Sequence, residues 1–295
     1  MSDDVARLGD SREEARALRL SAAMTLSVRN AKSDDYATFE RLFLELRVPD
    51  LAPKKDEYET KIRATTFFLC EDAIPIAYAF WLPMRDVARV CHVVVDSTAQ
   101  RRGVGGALMR EIATRGRHAG CTRWLLNVKP DNAVAIRLYE RHGMSVAARS
   151  RSHQIAWRDV DRLPLEEAIE TFIVAPEDEA RVEAATSAFA PTSMFDGKID
   201  SLRSNGGRVF LGARCAGDVV GFAAFAPSFP GAMPFEAHRP TITRALLEAM
   251  RPHALPEYDA VRVGSTSEEV WTAVEAVGAR MMLETLRMEG PISAP

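Results

Sequence analysis

The sequence predicts an α/β (α+β) fold, a mixed twisted sheet flanked by helices, in two tandem copies. From Leu26 to Trp157, strand-like and helical segments follow in the order β-α-α-β-β-β-α-β-α-β, a mixture that neither an all-helical nor an all-strand protein shows. The run Val93-Val94-Val95 is too continuously apolar for a half-exposed strand and predicts a central one covered on both faces. The rear half repeats the front in outline, which predicts the second copy.

The first strand spans Leu26 to Arg29. A helix capped near Ser33 or Asp34 follows, burying Tyr36, Phe39, Leu42, Phe43 and Leu46 at helical spacing until Pro49 and Pro53 break it. A second short helix is expected from Asp56 to Ala64. Thr65 to Cys70 and Ile74 to Leu82 read as strands of a hairpin, joined by the connection Glu71-Asp72-Ala73 with its carboxylates in solvent. Arg89 to Val95 is the next strand. Gly103 to Ala119 forms a helix with Val104, Leu108, Ile112 and Ala113 inward, and Arg123 to Val128 a further buried strand. Asn132 caps the helix Ala133 to His142, Gly143 ends it in the left-handed region, and Val146 to Trp157 is the last strand of the copy.

The repeat is visible in particular segments. Val220-Gly-Phe-Ala-Ala-Phe-Ala-Pro227 parallels Ile76-Ala-Tyr-Ala-Phe-Trp-Leu-Pro83. Phe172-Ile-Val with the helix Pro176 to Phe189 parallels the first strand and helix. Ala260 to Val263, the helix Ser267 to Val277 and Gly278 parallel Leu125 to Val128, the Asn132 helix and Gly143. Residues missing from the rear copy fall where the front has its Val-rich strand and glycine turn. The expected domains are therefore 25–157 and 172–295, joined by the charged segment 158–171, with residues 1–24 as an N-terminal extension that has little to bury.

Composition narrows the partners. Lys plus Arg number 38 against 41 Asp plus Glu, a net charge of -3, which gives no bulk electrostatic basis for binding nucleic acid. Cys70, Cys91, Cys121 and Cys215 stand far apart without a CxxC pair, so neither a disulfide framework nor a metal site is expected. The opening residues alternate acid and base where a signal peptide needs an apolar core, and no apolar run is long enough for a membrane span. The expectation is a cytoplasmic protein, monomer or homodimer, with no membrane partner.

The chemistry concentrates in Gln100-Arg101-Arg102-Gly103-Val104-Gly105-Gly106, between a buried strand and an amphipathic helix. Gly103 and Gly105 let a ligand approach the backbone, and the N–H groups of the helix's first turn present the positive end of its dipole. Such a turn binds a phosphate or pyrophosphate, with Arg101 and Arg102 adding charge at its rim. No glycine completes a dinucleotide GxGxxG, and no Gly-Lys-Ser/Thr makes a nucleotide-triphosphate loop.

A second motif, Asn127-Val-Lys-Pro-Asp-Asn132 followed by Ala133-Val-Ala-Ile-Arg-Leu-Tyr-Glu-Arg-His-Gly-Met144, carries Tyr139 on its helix. With Val95-Asp-Ser-Thr-Ala-Gln-Arg-Arg-Gly-Val-Gly-Gly-Ala-Leu-Met109 resembling a Q/R-x-x-G-x-G/A pyrophosphate loop, the stretch from Leu26 to Trp157 resembles the GNAT superfamily of acyl-CoA-dependent N-acetyltransferases. The resemblance implies a cofactor site for acetyl-CoA, with no metal. By the same resemblance, Val93, Val94 and Val95 are expected on a strand that splays from its neighbour and bonds the pantetheine arm, with Val93 and Val95 supplying the backbone contacts. Gln100, Arg101, Arg102, Gly103, Val104, Gly105 and Gly106 are expected to hold the pyrophosphate, and Asn132 to contact the arm. Tyr139 is expected to be the general acid that protonates the departing thiolate. The acceptor is an amine of unknown identity.

The base is left open. Where the family often has a glutamate, this chain has Arg89; His92 on the same strand titrates near neutrality and is a second possibility beside a packed residue. The rear copy has Val274 and Ser267 in place of Tyr139 and Asn132 and carries no QxxGxG, so it is expected to be a degenerate copy without a CoA site. The alternative function is a non-catalytic acyl-CoA-binding sensor.

Overall fold

The computed structural model describes residues 26–48, 51–166, 168–191, 193, 199–203 and 206–292. The expected extension 1–24 and the helix break at Pro49 lie outside them. Contacts divide the chain into two compact units, one running to Leu125 and taking up Pro291 onward, the other Leu126 to Gly290.

In the first unit β1 (Leu26–Asn30), β2 (Thr66–Glu71), β3 (Ile74–Met84) and β4 (Val87–Val95) are successive antiparallel neighbours, and the start of β5 (Arg123–Val128) joins β4 in parallel. Two helices cover one face. These are α1 (Tyr36–Phe43) and α2 (Lys55–Glu57, continued by a π turn Tyr58–Ile62). Phe39, Leu42 and Phe43 recur at helical spacing on α1 and pack with Tyr58, Phe68 and Tyr78. The helix α3 (Val104–His118) turns Val104, Leu108, Met109 and Ile112 inward, leaving Ala113 half-buried. Neither Ser33 nor Asp34 supplies the expected cap. Asp35, at the cap position, makes no side-chain bond into α1 and bonds backward instead, its carboxylate accepting from the Lys32 N–H at 2.7 Å and from the Arg29 guanidinium at 2.6 and 2.7 Å. Of the Val93–Val95 run only Val94 is buried, and its neighbours are half-buried, so the strand is not covered on both faces along its length.

The second unit contains α4 (Ala133–Glu140), β6 (Ser145–Ala156), β7 (Ile169–Ile173), α5 (Glu179–Phe189), α6 (Ile199–Arg203), β8 (Val209–Cys215), β9 (Asp218–Ala226), β10 (Gly231–Ala237), α7 (Pro240–Met250), β11 (Ala260–Ser265), α8 (Glu268–Ala276) and β12 (Arg280–Pro291). Its strands are ordered β12-β6-β11-β10-β9-β8-β7, antiparallel except for β10 with β11. One core lies under α7 and α8, with Leu246, Met250, Val270 and Val274 against Phe225, Phe235 and Val261. A second, under α5, joins Val182 to Phe210 and Phe222. The series β7-α5-α6-β8-β9-β10-α7-β11-α8-β12 reproduces β1-α1-α2-β2-β3-β4-α3-β5-α4-β6 element by element. Compactness follows a different line from the repeat. The expected link 158–171 lies inside the second unit, because β6 pairs with both β11 and β12 and so belongs to the rear sheet.

Candidate active site

In the first unit β4 forks from β5. Their parallel ladder covers only Val87–Arg89 with Arg123–Leu125, and the β3 ladder shifts register between Phe80 and Trp81, leaving an extra residue at Cys91. The Asp96 N–H donates to the Ile76 carbonyl at 2.9 Å, so backbone alternation turns the N–H and C=O groups of Val93 and Val95 away from β3. The Val95 carbonyl accepts from the Gln100 side chain at 3.2 Å, which ties the following turn to the strand. Within this unit the Val93 groups on that edge have no strand to bond, which suits an extended ligand lying alongside.

The turn is built to expose N–H groups. Asp96 opens it, accepting from the Thr98 N–H at 3.0 Å, and the Arg41 guanidinium at 2.6 Å together with the Thr98 bonds holds its carboxyl down at about 2. Arg101 and Gly103 both adopt left-handed backbone, φ 61° and 82°, and swing the chain into α3. The first bond of α3 runs from the Ala107 N–H to the Gly103 carbonyl at 3.1 Å, so the N–H groups of Val104, Gly105 and Gly106 have no acceptor within the helix. Arg101 is exposed at the rim. Three converging donors, a helix dipole and a nearby guanidinium fit a pyrophosphate. Arg102 is an ion-pair partner of Glu71, a carboxylate expected in solvent; the β2–β3 hairpin carries Glu71 to the turn, a link invisible in sequence.

His92 is the packed residue, not a titrating one. Its ring lies among Phe39, Phe43, Phe80 and Tyr78, the Tyr78 hydroxyl stands 3.2 Å from Nδ1, and burial pushes its pKa down to about 4.

In the second unit Asn132 caps α4, its Oδ1 accepting from the Ala135 N–H at 3.1 Å. Gly143, at φ 78°, ends the helix as its sequence position predicts, and Met144 N–H returns to the Tyr139 carbonyl. Tyr139 lies one helix turn before that end, buried, with no hydrogen bond from its hydroxyl among the described residues. Burial pushes its phenol up to about 12, so it is protonated at neutral pH. The predicted residues thus fall into two sets, Val93–Val95 with Gln100–Gly106 in one unit and Asn132 with Tyr139 in the other.

The rear sheet holds a buried group that sequence reasoning missed. Glu236 on β10 is fully buried, accepting from Ser193 Oγ at 2.6 Å and Ser265 Oγ at 3.2 Å, yet burial pushes its carboxyl up to about 7. Its only sequence signal is one charge in the apolar run Ala232-Met-Pro-Phe-Glu-Ala237. Among the described residues no His, Cys, Asp and Glu cluster could hold a metal ion, and no helix is long and apolar enough to cross a membrane.

Residues 30–144 match the acetyltransferase (GNAT) family model. The chain is 31% identical over 91 residues to a [ribosomal protein bS18]-alanine N-acetyltransferase of Escherichia coli, a stretch covering 31% of this chain and 62% of that protein, less than two thirds of its length. Two solved structures extend the likeness over both units. A GCN5-related N-acetyltransferase from Sphaerobacter thermophilus matches at TM-score 0.63 and 14% identity, covering 91% of this chain and 96% of its own. A tandem GNAT protein from the clavulanic acid biosynthesis pathway matches at TM-score 0.55 and 18% identity, covering 92% and 99%. At these identities the likeness is one of fold, and the fold is a tandem pair of such domains.

Proposed function

We propose, from the match of residues 30–144 to the acetyltransferase (GNAT) family model, that the chain transfers an acetyl group from acetyl-CoA to a primary amine by direct attack. The observation that carries this reading is the start of α3, where three N–H groups without helical acceptors follow the left-handed Arg101 and Gly103 beside a forked strand. When bound, the thioester supplies an activated acyl group on a thiolate leaving group. The N–H groups of Val104, Gly105 and Gly106 hold the pyrophosphate, Arg101 and Arg102 add positive charge, and Gln100 fixes the turn to Val95. Val93 and Val95 bond the pantetheine arm from the strand edge, with Val94 anchoring that edge in the core. Asn132 presents its amide N–H to the arm while its oxygen caps α4.

Tyr139 is proposed as the general acid. A phenol held near 12 keeps its proton at neutral pH and can give it to sulfur as the C–S bond breaks and the C–N bond forms. The surplus proton of the amine leaves to solvent, and the phenolate of Tyr139 takes a proton back from solvent before the next turnover. Neither Arg89 nor the neutral His92 is suited to remove it, and the gain from holding amine and thioester together supplies much of the rate without a base.

The rear copy is proposed to be structural. Its helix α7 opens with Pro240, which has no N–H to offer a phosphate. The test is calorimetry with CoA on the wild type, followed by thiol release with an amine panel. The absence of a carboxylate from the described β4 strand favours one other reading, an acyl-CoA sensor, which would bind CoA and release no thiol above background.

A further inference from the structure

On the α1 side of the first sheet, Tyr78, Phe80 and Leu82 alternate along β3, and the ladder sets Val94, His92 and Arg89 of β4 opposite them. Cross-strand partners share a face, so Arg89 and His92 stand on the same side of β4; the extra residue at Cys91 is what brings positions three apart into line. Arg89 is also the last β4 residue paired with β5, at the vertex of the fork.

Its charge has no partner among the described residues. The other half-buried arginines of this unit are all engaged, Arg29 with Asp35, Arg63 with Glu59, Arg115 with Glu111 and Arg117 with Thr114. Arg89, equally half-buried, has no ion pair, hydrogen bond or aromatic ring for its guanidinium among the described residues. The nearby Cys91 is no counter-charge, since burial pushes its thiol up to about 11. A guanidinium drawn partly out of water without an anion is costly, and its planar array of donors matches a carboxylate in two parallel bonds. On the same face, His92 has Nδ1 occupied by Tyr78 and no partner for Nε2 among the described residues, which leaves a neutral polar atom for the uncharged end of a ligand.

We propose that Arg89 binds a carboxylate of the acceptor, so that the acceptor is a small amino acid and not a simple amine. Arg89 then sets specificity and takes no part in making or breaking bonds. The inference rests on the acetyl-transfer reading above.

Thiol release is to be measured for amino acids, each beside its carboxamide, with the wild type, Arg89→Gln and Arg89→Lys, and CoA affinity by calorimetry on all three proteins. The wild type should prefer acids to amides in kcat/KM by a factor on the order of 10² or more, because an amide leaves the guanidinium without its anion. Arg89→Gln should lose that factor on the acids while hardly changing the amides, Arg89→Lys should recover part of it, and CoA affinity should stay constant. A residue that merely supported the strand would lower both series together. Amides used as well as acids, an equal loss on both series, or CoA binding with neither series acetylated would each overturn the inference and leave the cofactor site standing. A wild type that fails to bind CoA would overturn the acetyl-transfer reading and this one with it.

Discussion

Replacing Glu236 by Gln should stabilise the protein above neutral pH, and the size of the effect follows from where the carboxyl sits. Glu236 is fully buried between Ser193 and Ser265, and its pKa rises from 4.5 to about 7 chiefly by desolvation. A folded-state value above the unfolded one means that the folded form holds the proton more tightly. Stability from this group is complete below 4.5 and is lost as pH climbs through 7, the total being about 3 kcal/mol at 1.36 per unit of pKa. About 2 kcal/mol of that loss falls between pH 5.5 and 8.5. Glutamine has the same shape, accepts at one end and donates at the other, and a serine hydroxyl can rotate to receive.

Urea unfolding of both proteins at pH 5.5 and 8.5, followed by far-UV circular dichroism, checks this. Histidines and other groups titrate in both proteins, so the difference between variant and wild type isolates Glu236. That difference should shift in favour of Glu236→Gln by about 2 kcal/mol on going to pH 8.5. A difference independent of pH would refute the reasoning, because it would mean that the buried carboxyl titrates at its ordinary value.

Three further outcomes test the front site. Gly103→Val forces a branched side chain into φ 82°, with no atom within 4 Å of the new Cβ, so the cost is backbone strain of about 1–3 kcal/mol, and CoA affinity measured by calorimetry should fall as the turn deforms. Asn132→Ala should cost about 1 kcal/mol in thermal unfolding by removing the cap on Ala135, with CoA binding weakened less than by Gly103→Val. Tyr139→Phe should lower kcat and kcat/KM together by about 10² to 10⁴ with unchanged CoA affinity, and a near-normal kcat would return the tyrosine to a packing role.

The front copy was legible because its signals are local. Apolar spacing on α1, the strand run of β5 and Gly143 at a helix end each fix a structure within a few residues; β5 and the Gly143 helix stand within two residues of expectation, while α1 gives way to a 3-10 turn after Phe43, with Tyr36 and Leu46 only half-buried. What stayed hidden depends on residues far apart. Glu71 reaches Arg102 only because a hairpin turns back, and β6 joins the rear sheet through ladders with β11 and β12. The strand β10 escaped because Pro230, Pro234 and Pro240 crowd a short run, and proline ordinarily argues against a strand. The site divides in the same way: the glycine turn is written in sequence, while the isolation of Arg89 and the burial of His92 emerge only when β3 is laid beside β4.

The two copies share a fork and use it in opposite ways. In the rear, β10 and β11 pair only at Gly231 with Arg262 and Ala232 with Val263, as β4 and β5 pair only at the base of theirs. Beyond that point the rear fork fills itself. A Cβ at Gly264 would lie 2.5 Å from Met233 Cγ, so the methionine occupies the space beside the bare glycine. Farther along, Glu236 satisfies Ser193 and Ser265, and Trp271 and Ser150 donate to the Ser265 carbonyl. Polar groups spent on one another have little left for a ligand, and only His238 and Arg239 separate β10 from a helix that begins with proline. In the front, Asp96 to Gly103 provide a longer turn whose donors point outward and whose neighbouring strand edge keeps Val93 unpaired within its unit. One backbone plan therefore yields an open strand edge, where the cofactor is proposed to lie, or a sealed core, according to whether the fork's side chains satisfy each other or leave the backbone bare.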